Sequence, residues 1–155
     1  MNTMDERLLS EKTVLLGASF PDKVAAIRAC GELLVAAGYA ERPYIDAMVA
    51  RDEMSTIYIG NGVALPHGTE ASRRYVKRTG LAIVQVPGGV DFGKGNVARL
   101  LVAVAALGEE HIDLLTEIAQ ICVDDEMLDR LINAATASEL LSVIAPERGD
   151  APEKD

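Results

Sequence analysis

Two apolar runs dominate the hydrophobic pattern of the chain. Thr79 to Val86 (TGLAIVQV) and Ala98 to Ala106 (ARLLVAVAA) are of strand length, rich in Val, Ile and Leu, and both end at turn signals. Runs of that kind predict strands buried on both faces at the centre of a sheet. Between them, Pro87-Gly88-Gly89-Val90-Asp91-Phe92-Gly93-Lys94-Gly95-Asn96 reads as a loop in which Val90 and Phe92 form a brief edge pairing. From Ile57 to Pro66, short β-branched runs are broken by Gly60-Asn61-Gly62, which predicts a strand, a turn and a second strand ending at His67.

Helical spacing takes over on either side. Pro21 to Ala37 predicts a first helix, with Ser19 as its cap near Pro21, apolar Val24, Ile27, Leu33 and Leu34, and a stop at Gly38. A second helix runs from Arg42 or Pro43 to Asp52, buries Tyr44, Ile45, Met48 and Val49, and delivers Arg51 at its end. Glu109 to Val123 repeats Ile112, Leu115, Ile118, Ala119 and Cys122 at helical spacing, with His111 in its first turn. Asp124 to Asn133 continues as another helix, and Thr136-Ala137-Ser138-Glu139 has the capping-box spacing that opens a last helix to about Ile144. The expected architecture is a single α/β domain, a mixed sheet of about five strands with helices on both faces. Its bounds are 11–145, preceded by an N-terminal segment 1–10 and followed by a charged tail 146–155 expected to be disordered.

Composition narrows the classes. A chain of 155 residues fits one domain, and folding at this size buries roughly 68 to 70% of the unfolded chain's surface. Cys30 and Cys122 fall inside helical apolar patterns with no CxxC or metal spacing, so they read as buried structural thiols. Met1 to Glu11 carries charges without a long apolar stretch, and no run reaches the ~18 apolar residues of a membrane span, so a soluble cytoplasmic protein is expected. A formal net charge of −9 argues against nucleic acid as a partner. The basic cluster Arg73-Arg74 and Lys77-Arg78 reads as a solvated turn around Tyr75-Val76. The glycine-rich stretch 87–96 lacks the GxxxxGK[ST] order of a phosphate loop.

Candidate chemistry centres on His67, one of two histidines, in Asn61-Gly62-Val63-Ala64-Leu65-Pro66-His67-Gly68-Thr69. An imidazole between proline and glycine just after an apolar run is displayed at a strand end, where Pro66 restricts the backbone and Gly68 removes bulk beside the ring and permits unusual angles. That is how a chain presents a nucleophile. His111 fits no helical metal spacing with it, but a strand end and the start of the helix after a neighbouring strand meet at one edge of an α/β sheet, where sites form. A zinc site from His67, His111 and Glu53 is a weak rival, since such sites usually recruit three or four protein ligands.

Arg51-Asp52-Glu53, Ile59 through Thr69, Gly88-Gly89-Val90-Asp91-Phe92-Gly93 and Glu110-His111-Ile112 together resemble the IIA component of the bacterial sugar phosphotransferase system, fructose and mannitol class, over most of residues 10 to 144. Pro-His-Gly-Thr with the second histidine is most similar to the mannitol branch. The resemblance implies a phosphoryl relay: His67 accepts the phosphoryl group from the phosphocarrier HPr and passes it to a cysteine of IIB for uptake of mannitol or a related hexitol or fructose. No cofactor, metal or nucleic acid is implied, and the membrane is met only indirectly through the IIC permease. Arg51 matches the family's arginine near the site, where its fork holds phosphoryl oxygens, although a helix C-terminal cation explains it equally well without the resemblance. His111 matches the second histidine and donates a hydrogen bond to the phosphoryl group. Glu53 orients Arg51 or is simply solvated. Thr69 caps a short helix starting near Glu70 or supplies a hydroxyl, capping ranking first, and Gly68 gives access. Two features depart from the mannitol pattern: the loop Gly93 to Asn96 is short and carries Lys94, and the sequence has no fused IIB or IIC, so IIB acts in trans. An apolar patch with a polar rim is expected around His67 for transient docking. An alternative function is a regulatory module whose phosphorylation state controls a transcription factor or transporter by contact.

Overall fold

The computed structural model describes residues 8–108 and 110–144, and the side chains of all of these except 110–112. Ten regular elements follow one another: β1 (Val14–Leu15), α1 (Lys23–Ala36), α2 (Pro43–Met54), β2 (Tyr58–Gly60), β3 (Val63–Ala64), β4 (Gly80–Asp91), β5 (Val97–Ala105), α3 (Glu110–Cys122), α4 (Asp125–Asn133) and α5 (Ala137–Ile144). Short 3-10 turns occupy Glu11–Thr13 and Glu70–Tyr75. The five strands form one mixed sheet in the order β1-β4-β5-β3-β2, with the two long apolar runs central as predicted, while the hydrophobic pattern does not announce β1. β4 and β5 are antiparallel, whereas β1 joins β4 and β3 joins β5 in parallel. Among the described residues no helix is long and apolar enough to cross a membrane. The tail 146–155 and residues 1–7 lie outside the described residues; Leu8, Leu9 and Ser10 do not, and Leu9 is fully buried in the core.

Strand alternation divides the core in two. Leu81, Ile83, Leu100, Val102 and Val104 point to the layer of α3, α4 and α5, where Leu114, Ile118, Leu128, Leu131 and Leu141 meet them. Ala82, Val84, Leu101, Ala103 and Ala105 point the other way, to Ala26, Ile27, Cys30, Leu34, Tyr44 and Met48 of α1 and α2. The thiols of Cys30 and Cys122 are buried and free as expected, and burial pushes the Cys30 thiol up to about 12 and that of Cys122 to about 11.

Several boundaries depart from expectation for visible reasons. Asp22 rather than Ser19 caps α1, its carboxylate accepting from Ala25 N at 2.9 Å. The expected stop at Gly38 is there: φ is +84°, Tyr39 N bonds Leu34 O and Gly38 N bonds Val35 O, each at 3.0 Å, the paired closure that a left-handed residue permits. Pro43 opens α2, which runs to Met54. Its last turn carries buried Asp52, paired with Lys23 Nζ at 2.9 Å and accepting from Ile57 N at 3.2 Å, so one carboxylate ties α1, α2 and the start of β2 together. β4 does not end at Val86. Its register shifts between Gln85 and Val90, and pairing resumes at Val90 with Ala98 and Asp91 with Val97. Pro87 sits inside that irregularity, where a missing N–H costs the ladder little. Gln85 is 4% exposed at the break, yet its amide accepts from Gly17 N and donates to Leu131 O and Ala134 O. Asn61 (φ +58°) and Gly62 (φ +81°) make the tight turn between β2 and β3. At α5, Thr136 accepts from Glu139 N at 3.0 Å as the spacing predicts, whereas the Glu139 carboxylate accepts from Ala135 N at 3.1 Å, one residue before the cap N–H that a capping box would use.

Candidate functional site

Beyond β3 the chain keeps its extended course beside β5. Leu65 N bonds Ile57 O at 2.9 Å, Val104 N bonds Pro66 O at 2.9 Å, and His67 stands opposite Val104 in a parallel bridge. The histidine is therefore displayed at the carboxyl ends of β3 and β5, which lie inside the strand order rather than beside a lateral edge of the sheet. This is where open α/β sheets place their sites. The half-buried ring is oriented by its own backbone: Nδ1 lies 2.7 Å from Leu65 O. A carbonyl oxygen only accepts, so Nδ1 carries the hydrogen, and in the neutral ring Nε2 carries the lone pair.

The next residue is held from α2. Gly68 N donates to the Tyr44 hydroxyl at 2.9 Å, and that hydroxyl donates to Val104 O at 2.9 Å. One buried phenol thus joins the segment after the histidine to the strand beside it. Burial pushes the Tyr44 phenol up, and the Gly68 N–H and the Arg73 charge oppose that shift. Gly68 is required for space: a Cβ there would run into the Tyr44 ring and the Ser72 hydroxyl. Its φ lies outside the left-handed region, so the bulk avoided is against Tyr44, and the expectation of unusual backbone angles is not met. Thr69 occupies the cap position of the Glu70–Tyr75 turn, but its side chain makes no capping bond. Its carbonyl instead accepts from Ser72 N at 3.1 Å and Ser72 Oγ at 2.6 Å. The serine hydroxyl therefore ties down the Thr69 carbonyl and does not accept from a turn N–H as a cap would.

His67, Gly68 and Thr69 open onto a cleft of about 260 Å³ that Tyr44, Arg51, Glu70, Arg73 and Ala106 complete. Arg51 comes from the last turn of α2, where its Nη1 also donates to Ser55 O at 2.8 Å, so the helix-end role and the cleft role coexist. Arg73 is the residue that sequence reasoning missed. It was expected in a solvated turn, and it is exposed, but residues three apart in a 3-10 turn share a face, and Glu70 and Arg73 share the face that lines the cleft. Its neighbours do behave as expected: Arg74 and Arg78 lie over the rings of Tyr75 and Tyr39 at 4.9 and 4.4 Å. Glu53 is exposed and outside the cleft, and no described ion pair joins it to Arg51. His111 falls in the first turn of α3, and its side chain lies outside the described residues. Among the described residues there is no cluster of three or more His, Cys, Asp or Glu able to hold a metal.

The expected apolar patch does not surround the histidine, whose cleft is walled mainly by polar groups. Apolar surface lies one step away, in a groove lined by Ile59, Leu65, Leu115, Ala119 and Val123. Leu65 connects the two features, since its side chain lines the groove while its carbonyl holds His67.

Comparison with known proteins agrees with this geometry. Residues 7–146 match the family described as "Phosphoenolpyruvate-dependent sugar phosphotransferase system, EIIA 2". The chain is 41% identical over 141 residues to the mannitol-specific phosphotransferase enzyme IIA component of Geobacillus stearothermophilus, covering 91% of this chain and 97% of that one. Among solved structures it is similar to the complex of enzyme IIAMTL and phosphorylated enzyme IIBMTL from Escherichia coli, with a TM-score of 0.84, 34% identity, and coverage of 89% of this chain and 97% of that one. It is also similar to the crystal structure of IIA mannitol from Escherichia coli, with a TM-score of 0.83, 35% identity, and coverage of 88% and 99%. A histidine displayed at the strand ends, an arginine from α2 in the same cleft and a family match across all of the described residues lead to one assignment: the chain belongs to the EIIA 2 family of the phosphoenolpyruvate-dependent sugar phosphotransferase system.

Proposed function

We propose that this chain is the IIA phosphoryl carrier of a mannitol phosphotransferase system, and that Nε2 of His67 is the atom that carries the group. The observation that bears most weight is the 2.7 Å contact between His67 Nδ1 and Leu65 O, which leaves the lone pair on Nε2. In the first step that lone pair attacks phosphorus on phospho-HPr. The new N–P bond forms as the donor's bond to phosphorus breaks, and the donor keeps the electron pair. The ring then holds hydrogen on Nδ1 and phosphorus on Nε2, and the positive charge this creates is stabilised by the same Leu65 carbonyl. In the second step a cysteine thiolate of IIB forms an S–P bond, the N–P pair returns to Nε2, and the imidazole is neutral again. Covalent catalysis of this kind divides one transfer between proteins into two in-line displacements.

The remaining residues position the group and spread its charge. Arg51, in the cleft with His67, offers its fork to the phosphoryl oxygens. His111, at the start of the helix that follows the cleft residue Ala106, donates a hydrogen bond to the phosphoryl group. Thr69 contributes its hydroxyl at the cleft wall. The mannitol assignment is supported by relatives named as mannitol-specific IIA components, and the IIB partner by the solved complex with phosphorylated IIBMTL. The reading places the chain in the cytoplasm, where the phosphoenolpyruvate named in the family's description is made, and links it to the membrane only through IIC. The test is incubation with phosphoenolpyruvate, enzyme I and HPr, followed by intact mass and acid-lability mapping. One acid-labile phosphoryl group on His67, chased off by IIB, is the expected result. A chain that stays unmodified beside a competent control carrier would end the proposal.

A further inference from the structure

Most arginines of the described chain are engaged elsewhere. Arg28 pairs with Asp46 at 3.0 Å, Arg42 with Glu32 at 2.8 Å, Arg74 and Arg78 lie over aromatic rings, and Arg51 donates to Ser55 O. Arg73 differs. Among the described residues no hydrogen bond, ion pair or ring contact engages its guanidinium, and no ion pair ties it to Glu70 on the same face of the turn. The backbone beneath it is nonetheless fixed. Ser72, 3% exposed, anchors to Thr69 O through both Oγ and N, and Val76 N bonds Arg73 O at 3.0 Å. A pinned turn therefore holds a guanidinium with no direct hydrogen-bond or ion-pair partner among the described residues at the wall of the cleft that contains His67.

That arrangement has a chemical use. A phosphoryl group in transfer spreads negative charge over three equatorial oxygens, and catalysis of its transfer is mainly positioning and charge stabilisation. Arg51 already gives one of its N–H groups to the end of α2. We propose that Arg73 is a second catalytic arginine, whose guanidinium binds equatorial oxygens of the phosphoryl group on His67 from the Glu70–Tyr75 turn while Arg51 binds from α2. This rests on the phosphoryl-carrier reading of His67. Two forks from two elements bind more oxygens than either reaches alone, and their charge offsets the Glu70 carboxylate beside them.

Rapid-quench transfer from phospho-HPr, run over a range of donor concentrations, tests it with wild type, Arg73→Gln, Arg73→Lys and Arg74→Gln. Loss of a hydrogen bond to a charged group predicts that Arg73→Gln lowers the saturating rate by about 10- to 100-fold, with a much smaller change in half-saturating donor concentration. Arg73→Lys recovers part of that rate, since it keeps the charge but not the fork. Arg74→Gln, which removes the same charge one residue along but outside the cleft, leaves the saturating rate within about twofold. If Arg73→Gln only raises the half-saturating concentration, Arg73 is a docking charge and the proposal is overturned; an unchanged profile overturns it equally. A wild-type chain that takes no phosphoryl group would sink the carrier reading and this inference with it, an outcome visible before any variant is compared.

Discussion

The two faces of the sheet do different jobs. Under α3, α4 and α5, the strands present Leu81, Ile83, Leu100, Val102 and Val104; under α1 and α2 they present Ala82, Val84, Leu101, Ala103 and Ala105. The first set buries bulk, and hydrophobic stabilisation scales with the apolar area removed from water. The second set keeps side chains short, and helix α1 does likewise: a Cβ at Gly31 would come within 2.8 Å of Ile45 in α2. Thin packing brings α2 close enough for the Tyr44 hydroxyl to reach two backbone groups beside His67. The bulky strand side chains lie on one face, and the bonds that fix the backbone around His67 come from the thin one.

If that division is right, substitutions on the two faces should separate stability from transfer. The largest effect belongs to His67→Ala, which removes phosphoryl uptake altogether while urea unfolding shifts little; residual uptake measured by intact mass would move the acceptor elsewhere. On the bulky face, Ile118→Ala is expected to cost about 2 to 5 kcal/mol of stability by leaving a cavity, with the transfer rate of the folded fraction nearly unchanged. Tyr44→Phe on the thin face is expected to lower both stability and transfer. Leaving Gly68 N–H and Val104 O without their partner costs about 1 to 3 kcal/mol in urea, and rapid-quench assays should show transfer slowed more than in Ile118→Ala.

A smaller effect is set by pH and acts on both faces, since the Cys122 thiol on the bulky face is raised to about 11 as well. Cys30 is fully buried on the thin face and its thiol is raised from 9.0 to about 12, so the folded state disfavours the thiolate. The unfolded chain then binds fewer protons above pH 9, and stability falls as pH rises from 9 toward 12. Each pH unit in that window removes about 1.4 kcal/mol. Unfolding curves at pH 8 and pH 10 should show this loss in wild type and a smaller one in Cys30→Ala. Smallest of all is Glu53→Gln, expected to leave unfolding and transfer both unchanged within error, because the carboxylate is exposed and outside the cleft. A slowed transfer there would restore the role once expected of it beside Arg51.

What the sequence revealed of this design was its local part. Runs such as LAIVQV and LLVAVA announce buried strands because no solvent-facing residue interrupts them, and Pro66-His67-Gly68 marks a displayed imidazole because each flanking residue limits what the backbone can do. The spacing of Thr136 and Glu139 foretells the bond from Glu139 N to the Thr136 hydroxyl, a contact that depends on the helix start alone. Features that join distant segments were not legible in the same way. Tyr44 reads correctly as buried, but nothing in its helix says that its hydroxyl crosses to Gly68 and Val104. Arg73 sits in a basic run that looks solvated until a 3-10 turn, rather than an irregular one, sets which face it shares with Glu70. Pro87 looks like the end of a strand because proline cannot donate, and only the register shift after Gln85 shows how β4 passes it.

In the proposed carrier, a backbone carbonyl chooses the reacting nitrogen. Long-range nitrogen–proton spectra of the chain labelled with [15N]histidine, before and after phosphorylation by HPr, observe that choice directly. The structure predicts hydrogen on Nδ1 of His67 in the free chain, and phosphorus coupled to Nε2 with Nδ1 still protonated afterwards. Phosphorus on Nδ1, or on His111 in place of His67, would contradict it.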